Sequence, residues 1–194
     1  MTPTRRLGVT ALGLGLAAAF AGSPYRTRHG RIDVNGTVRA IQDGDDHVDA
    51  LQLAGWIRAR KPGLRVIDIR TPAEYAAGAI PTAENIPLDR LMTRTFAPSD
   101  VLVLYSEGGA HAGQAWLLLR AIGVANAWFI AGGMADWRED VMAPVLSPTA
   151  TAEETRAFAD TSDLSRYFGG QPSIGVRSTE ESSVAAPTSR RRGC

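Results

Sequence analysis

Apolar and polar positions change their spacing several times along this chain, and each change marks an expected element. Leu51, Leu53, Ala54 and Ile57 fall on one face of a helix that Pro62-Gly63 ends. Leu64 to Ile69 is a short β-rich run and reads as a largely buried strand. Thr71-Pro72-Ala73-Glu74 predicts a helix start. Thr71 caps, Pro72 suits the first helical position and Glu74 completes a capping box. A second β-rich run, Val101 to Tyr105, enters Ser106-Glu107-Gly108-Gly109-Ala110-His111, after which helical spacing continues to Ile122 and Gly123 caps it. A third run, Ala127 to Ile130, precedes a Gly132-Gly133 turn and a segment holding Trp137. Trp116 and Trp137 stand at apolar positions and are expected in the core. Apolar strands alternating with helices predict an α/β fold, a mostly parallel sheet with helices on both faces.

The flanks have a different character. Arg5-Arg6 followed by the uncharged run Leu7 to Ala21, ending Ala19-Phe20-Ala21, reads as an export signal over residues 1–21. As a helix that run would span about 22 Å, short of the roughly 30 Å hydrocarbon core. The expectation is a cleaved signal and a periplasmic or extracellular protein, with an uncleaved N-terminal anchor as the alternative. Residues 22–46 are polar and Gly-punctuated and read as a linker. Its acidic Asp43-Gly44-Asp45-Asp46, next to His47, is read as a solvated turn or a helix entry, since the spacing matches no metal-binding loop. The domain is expected over 47–146. Residues 147–168 form a short helical extension, opened by the capping box Thr151-Ala152-Glu153-Glu154 and expected to run to about Ala159. Residues 169–194, rich in Gly, Ser, Pro and Ala, are expected to be a disordered tail ending Arg190-Arg191-Arg192-Gly193-Cys194.

At 194 residues the chain has room for one domain plus these flanks. Its 21 Lys+Arg against 20 Asp+Glu give no electrostatic case for nucleic acid. The single cysteine, Cys194, excludes an internal disulfide and any zinc or iron–sulfur centre built on several thiolates. No metal and no cofactor is expected. Membrane contact is expected only through an uncleaved N-terminal segment or the basic tail.

The loop Ser106, Glu107, Gly108, Gly109, Ala110, His111 carries the chemistry. A strand that ends in a glycine-containing loop opening a helix gathers backbone N–H groups, and these attract anions. Asp68-Ile69-Arg70-Thr71-Pro72-Ala73-Glu74-Tyr75, then Gly78-Ala79-Ile80-Pro81-Thr82-Ala83 and Asn85-Ile86-Pro87-Leu88, resemble the first signature of the rhodanese-like domain family. Phe129 to Trp137 resembles the second. The resemblance implies a five-stranded parallel sheet between helices. It also implies sulfane-sulfur transfer on a cysteine at the loop's first position, commonly with an arginine near the loop's end.

Ser106 stands at that cysteine position and His111 at the arginine position. Ala79 and Thr82 replace the usual histidine and glycine. A hydroxyl oxygen cannot hold a persulfide, and serine ionises far less readily than a thiol near pKa 8.5. Asp68 and Arg70 are expected to organise the loop. The reading is therefore an exported rhodanese-like protein, inactive as a thiosulfate sulfurtransferase and serving as a module for a small anion or a partner protein. The alternative is sulfur transfer or redox chemistry by the tail thiol Cys194, whose chain has a typical reach of roughly 27 Å. A lesser alternative makes Ser106 a hydrolase nucleophile with His111 as base and Glu107 nearby.

Overall fold

The computed structural model describes residues 33–176. The signal segment, the start of the linker and the tail from residue 177, with Cys194, lie outside the described residues. The central sheet has the spatial order β1-β5-β4-β2-β3, and every pairing is parallel. Its strands are β1 (His47–Val48), β2 (Leu64–Asp68), β3 (Glu84–Asn85), β4 (Val101–Tyr105) and β5 (Ala127–Ile130). The α/β architecture with five parallel strands is as expected. β2 and β4 pair along their full length, Leu64 with Val101 through Asp68 with Tyr105, so both strands deliver their last residues to the same edge.

Each face of the sheet carries its own core. On one face α2 (Ala50–Arg58) buries Ala50, Leu53, Ala54 and Ile57 against Val66, Val103, Tyr105 and Ile130. On the other, α5 (Ala110–Ala121) buries Ala112, Ala115, Trp116 and Leu119 against Ile67, Leu102 and Leu104. Trp116 and Trp137 are both buried, as expected, and the Trp116 indole donates to the Ala127 carbonyl at 2.7 Å. Gly123 adopts φ 93°, the left-handed turn that ends α5.

Three boundaries differ from the reading of the sequence. α1 (Val34–Asp43) lies inside the segment read as linker. Asp33 caps its start by accepting from the Gly36 amide at 2.8 Å, and Gly44 ends it at φ 73°. Only Thr37 and Ala40 face the core while Val34, Val38 and Ile41 stay exposed, so the inward pattern is too sparse to read. The extension helix α7 (Ala152–Tyr167) passes Ala159 by more than two turns, held by Leu164 and by Phe168, which packs edge-on to Trp137. Beyond it β7 (Ser173–Ile174) pairs in parallel with β6 (Val145–Leu146), so a strand occupies the start of the stretch expected to be disordered.

Candidate active-site loop

The loop begins where β4 ends. Ser106 is 4% exposed, and its carbonyl accepts from the Met134 amide at 2.8 Å, while the Glu107 carbonyl accepts from Ala135 at 3.0 Å. These bonds fasten the loop to α6 (Gly133–Asp136), which follows β5 and runs into a π-helical turn, Trp137–Met142. Two glycines allow the approach. Gly109 has φ 82°, and a Cβ there would overlap the Ala131 carbonyl oxygen; Gly133 has φ 63°, and a Cβ there would overlap the Ser106 carbonyl.

The Ser106 hydroxyl accepts from the Ala112 amide at 3.4 Å, in the first turn of α5. Among the described residues the amides of Gly108, Gly109, Ala110 and His111 have no hydrogen-bond acceptor. The loop thus presents a run of unpaired N–H groups above a buried hydroxyl, at a helix N-terminus that favours negative charge.

Asp68 and Arg70 build the wall beside it. Asp68 is fully buried at the end of β2, and the Arg70 side chain is 3% exposed. Arg70 donates from Nε and Nη2 to the Asp68 carboxylate, the shortest bond being 2.7 Å, from Nη2 also to the Gly78 carbonyl at 2.7 Å, and from Nη1 to Glu107 at 2.9 Å. The hydrogen bonds to Asp68 outweigh the cost of burial and push the Arg70 pKa up. Tyr105 lies under this pair, its hydroxyl accepting from the Ile80 amide at 3.1 Å. Burial, aided by its hydrogen bond with Asp68, pushes its phenol pKa up and keeps it protonated.

Glu107 reaches across the loop's rim, one carboxylate oxygen taking Arg70 and the other Arg138 on the π-helical turn. Sequence reading placed Glu107 in the loop but missed Arg138, whose closeness exists only because α6 is stitched to the loop. An open cleft of about 410 Å³ runs over the site, lined by residues including Arg70, Glu74, Leu88, Ser106, Glu107 and His111. His111 is exposed on α5 and lines the same cleft as Ser106. Among the described residues, however, the Ser106 hydroxyl bonds to the Ala112 amide and not to the imidazole.

Residues 50–140 match the family model described as rhodanese-like domain. A sulfurtransferase from Allochromatium vinosum is 34% identical over 85 residues, which are 43% of this chain and 78% of that protein. Among solved structures, the rhodanese-like domain of the Anabaena sp. Alr3790 protein is 27% identical with a TM-score of 0.45, over 48% of this chain and 73% of that one. The human single-domain sulfurtransferase TSTD1 is also 27% identical, with a TM-score of 0.43, over 47% of this chain and 94% of that one.

Proposed function

Since this chain belongs to the rhodanese-like family of sulfurtransferases, we propose that it uses the sulfurtransferase frame as a binding module, holding a small anion or an anionic group of a partner protein at the loop after β4 and forming no persulfide there. The observation that carries this reading is the run of unpaired amides from Gly108 to His111 over a loop whose leading side chain, Ser106, ends in oxygen. Oriented amides at a helix N-terminus bind an anion whether or not a nucleophile stands beside them. Transfer of sulfane sulfur needs a sulfur acceptor in the loop, and Ser106 supplies a hydroxyl that stays neutral near pH 7.

The test is a thiosulfate–cyanide sulfurtransferase assay on the full chain, on Ser106→Cys and on Cys194→Ser, beside calorimetric titration with sulfate. The expected result is no turnover by wild type, turnover gained in Ser106→Cys, and saturable sulfate binding by all three. Wild-type turnover that disappears in Cys194→Ser would replace this reading with the tail-thiol one. Labelling of wild type by a fluorophosphonate, lost in Ser106→Ala, would replace it with the hydrolase. The proposal places the protein outside the cytoplasm, supported by Arg5-Arg6 and the run Leu7 to Ala21. N-terminal sequencing of protein from its own cells is expected to begin just after Ala21.

A further inference from the structure

The cleft carries its own carboxylate. Glu107 joins Arg70, whose other donors are largely taken by Asp68 and Gly78, to Arg138, which is half exposed at the rim. Among the described residues, the charged side chains joined around the cleft include two guanidiniums, Arg70 and Arg138, and three carboxylates, Asp68, Glu74 and Glu107. Of the three, Asp68 is buried behind Arg70, and Glu74 is tied into the capping box of α3 (Pro72–Ala77), where Thr71 donates to it at 2.8 Å and 2.6 Å. Glu107 alone stands on the loop itself, half exposed, directly beside the unpaired amides.

An oxyanion entering the cleft would find the amides open and one Nη1 donor of each arginine already engaged by Glu107. The chemistry of the occupant and of the newcomer is the same: oxygen atoms carrying negative charge, taken by Arg N–H groups in charge-assisted bonds. We propose that Glu107 is the specificity-determining residue of this loop, a tethered carboxylate that holds the Nη1 donors of Arg70 and Arg138 and yields them to a sulfate-like oxyanion only when displaced. This inference rests on the loop being an anion site, and it adds what sets the affinity and the selection there. Dianions strong enough to compete for both arginines enter; a monovalent anion or a simple carboxylate does not repay the displacement.

The experiment is calorimetric titration of the full-length protein with sodium sulfate, and separately with sodium acetate, at low ionic strength. It compares wild type, Glu107→Gln, and Glu107→Gln combined with Arg138→Gln. Glu107 is half exposed, so the single variant is expected to fold, which circular dichroism and the melting temperature check. Glu107→Gln is expected to tighten sulfate binding by about tenfold or more, as removal of a like charge beside an anion's donors does, and to confer measurable acetate binding. Adding Arg138→Gln is expected to return sulfate affinity to near the wild-type value. Sulfate affinity in Glu107→Gln within about twofold of wild type would overturn the role of Glu107 while leaving the anion site standing. A gain that survives loss of Arg138 would overturn it too, because the freed guanidinium would then not be the ligand. Absence of sulfate binding in every variant would overturn both the inference and the binding reading beneath it.

Discussion

Removing one member of the Asp68–Arg70 pair is expected to destabilise the whole domain, by an amount that follows from its burial. In Asp68→Ala the guanidinium of Arg70 keeps Glu107 and the Gly78 carbonyl but loses its carboxylate partner, while its side chain stays 3% exposed. The Arg70 amide also loses its bond to Asp68 Oδ1 at 2.9 Å. Leaving one partner of a buried pair uncompensated costs about 3–5 kcal/mol. Glu107 remains as a partial counter-charge, which favours the lower end. Against a typical total of about 5–15 kcal/mol, that is a large fraction. At about 2–4 °C per kcal/mol for a chain of this size, the melting temperature should fall by roughly 6–20 °C. Urea unfolding followed by circular dichroism measures the loss directly. The paired replacement Asp68→Leu with Arg70→Met removes both charges and is expected to recover at least half of it. A single variant within about 1 kcal/mol of wild type would refute the reasoning. So would a double variant no better than the single, because the loss would then not come from a stranded charge.

Three further outcomes are expected. Gly109→Ala combines a left-handed backbone with overlap on the Ala131 carbonyl, so the turn before α6 must shift; a loss of about 2–4 kcal/mol is expected in urea unfolding, with weakened sulfate binding. Tyr105→Phe leaves the buried Ile80 amide without its acceptor and should cost about 1–3 kcal/mol by the same assay. Arg65 holds Glu84 below the ordinary carboxylate range through a hydrogen bond to its side chain, so this contribution is fully present above the unfolded pKa of about 4.3 and is lost as pH falls through the lower folded value. The denaturation midpoint should therefore decline from pH 5.5 to pH 3.5, less steeply in Arg65→Gln.

The fold was legible because its three longest strands, β2, β4 and β5, are largely apolar runs bounded by strong punctuation. Thr71-Pro72-Ala73-Glu74 foretells the capping box observed at α3, where Thr71 and Glu74 exchange bonds, and Val101 to Tyr105 foretells β4. β3 and α4 (Leu88–Leu91) were not legible as elements, since two and four residues leave no room for a period. α1 escaped notice because its exposed positions are its apolar ones. The site divides the same way. Asp68 and Arg70 lie within the first signature, and the loop is marked locally by the strand that ends at Tyr105 and by its paired glycines. The clamp between Glu107 and Arg138 spans 31 positions and depends on the amides of Met134 and Ala135 binding the loop, a contact no local pattern encodes.

The strand order also dictates when this protein can fold. β1, at residues 47–48, pairs with no strand near it in sequence; its neighbour is β5, at 127–130, with β4 beyond. During synthesis the first strand of the sheet to emerge must wait for the last before it acquires a partner. Parallel pairings of such wide separation fold slowly and leave unpaired edges exposed along the way. A nascent chain halted before residue 127 would hold β2 and β4 but lack the strand that joins β1 to them. The interval between the emergence of Val48 and of Ile130 is therefore the stretch in which this chain most needs protection from its neighbours.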